Sequence, residues 1–228
     1  MNRMILPGAF ALALVAGLAW WLNSAPTGPQ AAQPLGAVNA QQSDAAEEEI
    51  DISSVQEMSL GNPQSDVTVI EYASFTCPHC ANFHDNQFEK LKTDFIDTDK
   101  IHYIYRDVYF DRYGLWASMV ARCGGEMRFF GIADMIYEQQ RDWIGDGQDP
   151  VAIADRLRKI GKVAGLEEEQ LEACLTDNTR AKTLVAWYQQ NAETHDINST
   201  PTIVINGETH SNMSYDELKA TIEEALGQ

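Results

Sequence analysis

Residues 69–80 are VIEYASFTCPHC, a β-branched run that leads directly into two cysteines separated by two residues. Residues 67–72 are nearly all β-branched or aromatic, which is typical of a strand buried at the centre of a sheet. Cys77 and Cys80 follow this strand at once. The interpretation of the chain therefore starts from what the strand and the cysteine pair do together.

The segment after the cysteines has the spacing of an α-helix. Five residues at intervals of four, four, three and four lie on one face of that helix, namely Cys80, His84, Phe88, Leu91 and Phe95. We therefore predict that Cys80 points into the core and that His84 is a core or groove residue. Cys77 precedes them at the strand-to-helix junction, where it can face solvent.

The rest of the chain alternates between strand and helix signals. The predicted elements are a strand at 101–106, mostly helical residues at 113–194, a strand at 202–206, a hairpin turn at Asn206–Gly207, a further strand and a last helix. Asp149 and Pro150 have the pattern of a helix start. Ser214 and Glu217 fit a capping box that opens the last helix.

The N-terminal residues have the pattern of a targeting segment. Residues 1–22 contain Arg3 and then an apolar run at 5–22, which is either a cleaved signal peptide or a membrane anchor. The absence of an obvious cleavage site next to this run favours an uncleaved anchor, with its N-terminus in the cytoplasm. Residues 23–49 are rich in Ala, Pro, Gln, Gly and Ser, as in a flexible linker. Both interpretations predict that the following chain is exported.

Composition and charge exclude several classes of partner. The chain has 228 residues and a formal net charge of -18, so phosphate backbones and anionic lipid headgroups are repelled and nucleic-acid binding is not expected. No glycine-rich phosphate loop and no paired metal carboxylates are found in the sequence. We therefore expect no cofactor and no metal.

The cysteine pair is open to three interpretations. A structural zinc site needs four ligands, usually in two close pairs, and the two other cysteines each stand alone in the sequence. A permanent disulfide between positions i and i+3 closes so small a loop that it removes little entropy from the unfolded chain. Redox chemistry is the favoured interpretation, because a helix N-terminus stabilises the thiolate on which thiol–disulfide exchange depends.

The residues around the pair fit this redox role. Cys77 is the predicted nucleophile, with its thiolate stabilised by the helix N-terminus and by His79. Pro78 suits the first helical turn because it has no N–H to lose, and Cys80 is predicted to resolve the mixed disulfide. Glu71, in an otherwise apolar strand, is a candidate proton acceptor for Cys80 through water. The alternative is a glutamate at the strand end that reaches solvent.

These motifs, in this order, resemble the thioredoxin superfamily and more narrowly the DsbA family of exported thiol–disulfide oxidoreductases. The resemblance covers residues of about 50 to 228 and rests on the strand glutamate, the CPHC sequence, the helical insertion and the Thr-Pro before the next strand. It implies an α/β, thioredoxin-like fold. Residues 50–112 and 195–228 would form the thioredoxin-like domain, and residues 113–194 an inserted helical domain.

The resemblance also implies how the protein works. Pro201 is expected to be a cis-proline beside the cysteine pair, and Thr200 to pair by its backbone with an extended substrate. The expected substrates are reduced, unfolded exported proteins in the periplasm, and a membrane reoxidase of the DsbB type is the expected partner. Thr200 replaces the Val of the best-known family member, so a reductase or isomerase is an alternative. A different alternative is an assembly factor that binds Cu(I) through its cysteines.

Cys123 and Cys174 lie on apolar helical stripes of the insertion, 51 positions apart. Two free buried thiols are one interpretation. An oxidising compartment favours a second disulfide, and some proteins of the family that the chain resembles have such a pair. We therefore expect a structural disulfide that is separate from the redox pair.

Overall fold

The computed structural model describes residues 50–227, which are arranged around a five-stranded sheet. The strands are β1 (Met58–Gly61), β2 (Thr68–Ala73), β3 (His102–Asp107), β4 (Thr202–Ile205) and β5 (Glu208–Ser211). Their spatial order is β1-β3-β2-β4-β5. The β2–β3 pair is parallel and every other neighbouring pair is antiparallel. β2 therefore lies at the centre of the sheet.

Helices cover the sheet and fill the connection between β3 and β4. The segment α1, residues 78–96, follows β2 and consists of Pro78–Phe83, His84–Phe88, Glu89–Leu91 and Lys92–Ile96. The inserted helices are α2 (Arg112–Cys123), α3 (Glu126–Glu138), α4 (Gln140–Ile144), α5 (Pro150–Val163), α6 (Glu168–Thr176) and α7 (Asn178–Thr194). The last helix is α8 (Tyr215–Ala225). The predicted fold class, an α/β sheet domain with a helical insertion, is confirmed.

The predictions for the targeting segment and the linker, residues 1–22 and 23–49, lie outside the described residues. Within residues 50–227, none of the helices is long and apolar enough to cross a membrane.

The central strand is buried on both faces, as its β-branched sequence predicted. Val69, Tyr72 and Ala73 have no exposed surface. One face of β2 contributes Val69 and Ala73 to the main core, which it shares with α1, the insertion and α8. The other face contributes Ile70 and Tyr72 to a smaller cluster, against which Tyr188 of α7 packs. The observed strand is shifted by one residue from the predicted range.

Strand β1 was not predicted. It is only four residues long, lies at the edge of the sheet and ends in Gly61, whose φ of 78° is accessible to glycine. Such a short strand has no clear two-residue alternation, and its pairing with β3 depends on residues about 45 positions later in the chain. The predicted turn at Asn206–Gly207 is present, with positive φ at both residues.

The predicted apolar face of α1 is correct. Its five members are all buried, with exposed fractions between 0% and 6%: Cys80, His84, Phe88, Leu91 and Phe95. Two parts of α1, His84–Phe88 and Lys92–Ile96, are wider π-helical turns that the sequence did not predict. The residue spacings on the buried face average slightly more than 3.6, and the wider turns take up the difference.

The predicted helix starts are also present. The Asp149 carboxylate accepts hydrogen bonds from the N–H groups of Val151 and Ala152, and Pro150 is the first helical residue of α5. Ser214 and Glu217 form the capping box at the start of α8.

Cys123 at the end of α2 and Cys174 in α6 are joined by a disulfide, with an S–S distance of 2.08 Å. The bond links the two helices across 51 positions of the chain. The structure therefore contains the second disulfide that the sequence favoured over two free thiols.

Removing this bond should destabilise the protein. We expect the double substitution Cys123→Ser and Cys174→Ser to lower the free energy of unfolding by about 4 kcal/mol, because the link restricts the unfolded chain. Equilibrium unfolding in denaturant, with wild type and variant compared without reductant, measures the difference. Equal unfolding midpoints would show that the bond does not stabilise the fold.

Candidate active site

The site is built where β2 ends and α1 begins. Cys77 is the N-cap residue of α1, with extended backbone angles, and Pro78 is the first helical residue. Cys80 lies one turn into the helix and has no exposed surface, as predicted. Cys77 is only 8% exposed, so the prediction that it faces solvent is wrong. The cause is the segment before β4, where the carbonyl oxygen of Thr200 lies 3.5 Å from Cys77 Sγ.

The Thr200–Pro201 peptide bond is cis, which agrees with the expectation drawn from the family resemblance. Pro201 is buried and precedes β4, which pairs antiparallel with β2. In that register Tyr72 lies opposite Thr202, so the residues just before Thr202 necessarily lie beside the residues that follow β2. Sheet pairing therefore brings Thr200 to Cys77 from 123 positions away.

The Cys77 thiol is acidified by its surroundings. A hydrogen bond from the Cys80 thiol is the main cause, and it lowers the pKa of Cys77 to about 5 although burial opposes the shift. A hydrogen bond with the Thr200 side chain and the backbone N–H groups of Cys80 and His79 contribute to the same shift. Cys77 is therefore a thiolate at neutral pH.

The part that His79 plays differs from the sequence prediction. Its side chain is exposed, and the group that acts on the Cys77 sulfur is its backbone N–H. The first turn of a helix has free N–H groups whatever its side chains are, so the position of Cys77 accounts for this contribution. Pro78 is at the predicted first position of the helix.

The pKa of Cys80 is shifted in the opposite direction to that of Cys77. Burial strongly raises the pKa of the Cys80 thiol, and its hydrogen bond to Cys77 and the negative charge of Glu71 raise it further. The two sulfurs are not bonded to each other in the structure. At neutral pH the pair is thus one thiolate and one thiol, with the proton on the inner cysteine.

A buried polar group lies beneath Cys80. Glu71 has no exposed surface, so the alternative of a strand-end glutamate that reaches solvent is excluded. The Tyr103 hydroxyl donates a hydrogen bond to Glu71 Oε2, and His84 Nε2 lies 3.3 Å from Glu71 Oε1. His84 was predicted only as a core or groove residue; it is buried, and it also contacts this carboxylate.

Gln140 and Asp111 support the loop between β2 and α1, and neither of them was predicted from the sequence. Gln140 Nε2 donates to the carbonyl oxygens of Phe75 and Cys77, each at 2.9 Å. The Thr76 hydroxyl donates to Asp111 Oδ2 at 2.8 Å. Gln140 comes from the insertion, more than 60 positions from the loop. No local sequence pattern connects it to the cysteines.

A cavity of about 370 Å³ opens beside the cysteine motif. Its walls come from α1, α3 and α4 and include Pro78, Asp85, Glu138 and Asp142. Within residues 50–227 no group of three or more His, Cys, Asp or Glu side chains is arranged to hold a metal ion. The arrangement around Cys77 can form and break a disulfide with a partner that reaches its sulfur.

Comparisons with known proteins agree with this geometry. A sequence model of the family described as Thioredoxin matches residues 53–224. A Rickettsia bellii protein named as a protein-disulfide oxidoreductase is 34% identical over 171 residues, which are 75% of this chain and 64% of the relative. The chain thus spans less than two thirds of the length of that relative.

Two further comparisons give one relative of similar sequence and one structure of the same fold. Disulfide bond formation protein D of Bacillus subtilis is 28% identical over 174 residues, which cover 73% of this chain and 76% of the relative. The crystal structure of Wolbachia pipientis alpha-DsbA1 has the same fold, with a TM-score of 0.68 at 24% identity. That match covers 75% of this chain and 92% of the other. The family model places the chain in the thioredoxin family, and the Wolbachia structure agrees with the resemblance to the DsbA family at the level of the fold.

The ionisation of Cys77 can be followed directly. As the pH falls, the reduced protein should lose its thiolate ultraviolet absorbance with a midpoint near pH 5. The oxidised protein and Cys77→Ser should show no such change. Because the folded pKa is below the ordinary 9.0, thiolate formation stabilises the reduced fold above pH 9. This stabilisation should decline as the pH falls from 9 towards about 5. A midpoint near the ordinary value would contradict the site geometry.

The contribution of Gln140 can be tested by stability. Gln140→Leu leaves the two buried carbonyl groups of the cysteine loop without their donor and should destabilise the protein by about 2 kcal/mol. Gln190→Leu, at an exposed position of α7, is the matched control and should change stability by less than about 0.5 kcal/mol. Equal effects of the two substitutions in denaturant unfolding would argue against a supporting role for Gln140.

Proposed function

Since the chain belongs to the thioredoxin family, we propose that it is an exported thiol–disulfide oxidoreductase that introduces disulfides into reduced, unfolded proteins. The observation that supports this most directly is the unequal acidity of the two cysteines. The pKa of Cys77 is lowered to about 5, mainly by the Cys80 thiol, whereas burial raises that of Cys80. A stabilised Cys77 thiolate favours the reduced state, so the Cys77–Cys80 disulfide would be an oxidant.

Oxidation of a substrate proceeds in two exchanges. A substrate thiolate attacks Cys77 Sγ, a mixed disulfide forms, and Cys80 leaves as a thiolate that takes up a proton because it is buried. A second substrate thiolate then attacks the substrate sulfur of the mixed disulfide. Cys77 leaves as a thiolate, and the substrate keeps the new disulfide. Two electrons pass from the substrate to the cysteine pair.

Recycling reverses the roles of the sulfurs. The Cys77 thiolate attacks a disulfide of the reoxidising partner, forms a mixed disulfide with one of its sulfurs, and displaces the other sulfur as a thiolate. Cys80 then loses its proton, with Glu71 as the acceptor, and attacks Cys77 Sγ. The partner sulfur leaves with the electron pair. The partner is thereby reduced and the Cys77–Cys80 disulfide is restored.

The substrate would lie along the edge formed by Thr200 and Pro201. The Thr200 carbonyl is already within 3.5 Å of Cys77 Sγ, so an extended segment paired with this backbone would place a thiol near the nucleophile. The wall of the neighbouring cavity carries three carboxylates and one guanidinium, namely Asp85, Glu138, Asp142 and Arg141, so its net charge is negative. These charges favour neutral or basic segments of unfolded chains.

Export to the periplasm is supported by two features. Residues 5–22 are apolar and follow Arg3, as in a signal peptide or inner-membrane anchor. The Cys123–Cys174 bond is of the kind that persists in oxidising compartments. In such a compartment a membrane reoxidase of the DsbB type would be the recycling partner.

The proposed activity can be measured with the full-length protein and reduced, unfolded ribonuclease A. Oxidised protein should restore ribonuclease activity, and Cys77→Ser should abolish this effect because the nucleophile is lost. Cys80→Ser cannot form the Cys77–Cys80 disulfide, so it should also fail to restore ribonuclease activity. The double variant Cys123→Ser and Cys174→Ser is the matched control and should keep exchange activity, since its cysteines lie outside the site.

The reduction potential of Cys77–Cys80 gives the direction of exchange. Equilibration of full-length protein with glutathione buffers should give a potential above that of glutathione, as for an oxidant. A potential near that of thioredoxin would instead support a reductase. Stoichiometric Cu(I) binding without any exchange would support the metal-binding alternative and contradict the proposed function.

A further inference from the structure

One buried histidine lies between the cysteine site and the protein surface. His84 is in α1, one turn after Cys80, and its side chain is 4% exposed. Its Nε2 atom lies 3.3 Å from Glu71 Oε1, and its Nδ1 atom lies 3.9 Å from Asp134 Oδ1 on α3. The Glu71 side chain is fully buried, whereas that of Asp134 is 48% exposed. The imidazole therefore bridges an inner and an outer carboxylate.

We propose that His84 is a positively charged positioning residue that balances Glu71 and keeps this carboxylate available to accept the proton of Cys80. The inference deepens the proposed function and rests on it. Within residues 50–227 no Lys or Arg nitrogen lies within 4.0 Å of a Glu71 oxygen, so His84 is the cation at this carboxylate. A buried carboxylate without a cation would take up a proton itself.

The orientation of the imidazole is fixed by aromatic rings. Its centroid lies 4.1 Å from that of Tyr137, with an interplanar angle of 19°, and 4.8 Å from that of Phe88. Stacking on the face of Tyr137 favours the cationic form of the ring. Neither ring nitrogen makes a hydrogen bond of good geometry with the described residues. The contacts with the two carboxylates are thus ionic, and their strength depends on the ring charge.

The groups that face the imidazole favour its charged state. The titratable residues around it are Cys80 on its own helix, Glu71 on β2, Tyr103 and Tyr105 on β3, and Asp134 and Tyr137 on α3. Burial opposes protonation, but Glu71 and Asp134 outweigh it and raise the pKa of His84 to about 9. Burial also raises the pKa values of Tyr103, Tyr105 and Tyr137, so these phenols stay neutral.

The charge of His84 affects the step in which Cys80 resolves the mixed disulfide on Cys77. When Cys80 attacks Cys77 in a mixed disulfide, the Cys80 proton moves to the Glu71 carboxylate, a new S–S bond forms and the partner sulfur leaves with the electron pair. A charged His84, 3.3 Å from Glu71 Oε1, would stabilise the negative charge that this carboxylate needs to act as the acceptor. A neutral residue at position 84 would remove this stabilisation, and proton transfer from Cys80 would become slower.

The experiment uses full-length protein with glutathione bound to Cys77, from which Cys80 releases glutathione. We expect His84→Gln to slow this release on the order of tenfold or more near neutral pH, and to move the pH profile to higher pH. His102→Gln, at a half-buried position on β3, is the matched control and should behave as wild type. Equal rates and equal pH profiles for all three proteins would overturn the inference.

A second measurement is independent of activity. The imidazole resonances of His84, assigned by their loss in His84→Gln, should titrate with a midpoint near pH 9. Asp134→Asn should lower this midpoint because one of the two carboxylates is lost. A neutral His84 at pH 7 would overturn the inference even if the variant failed to fold. If wild type released no glutathione at any pH, the proposed function would fall, whereas the charge of His84 would still be decided by this titration.

Discussion

Cys77 is held where the end of a central strand, the N-terminus of a helix and a proline-containing segment meet. β2 is buried on both faces, so the position of its last residue is fixed by the core. α1 begins directly after Cys77, and its free N–H groups lie next to the sulfur. The antiparallel register of β4 on β2 then brings Thr200 to the same point. Each of the three elements constrains the sulfur independently, so its environment does not depend on a mobile loop.

The same junction makes the two cysteines unequal. Cys77 meets hydrogen-bond donors, whereas Cys80, one turn later, meets the core and a buried carboxylate. A buried group such as Glu71 contributes little to stability, and replacing a buried ion pair by apolar residues is often neutral or stabilising. Its presence next to Cys80 and 3.3 Å from His84 therefore fits the proposed role in proton transfer better than a role in folding.

Local sequence patterns correctly predicted those helices, strands and caps that local interactions determine. Periodicity and capping chemistry account for the central strand, the buried face of α1, the caps at Asp149 and Ser214, and the run of helices between β3 and β4. The features that were missed depend on distant contacts. Cys77 is covered by a segment 123 positions away, Gln140 reaches the cysteine loop from the insertion, and β1 is a strand only because β3 pairs with it. His84 was correctly placed in the core, but its carboxylate neighbours come from other elements.

The Cys123–Cys174 bond has a consequence for the maturation of the protein itself. A newly synthesised chain forms this bond only after two electrons have been removed from the two thiols, so each copy begins with reduced cysteines at these positions. If the proposed activity is correct, that is the kind of molecule on which a mature copy acts. A mature copy would then be able to oxidise these two thiols in a newly made one, so the substrates of the protein would include its own chain.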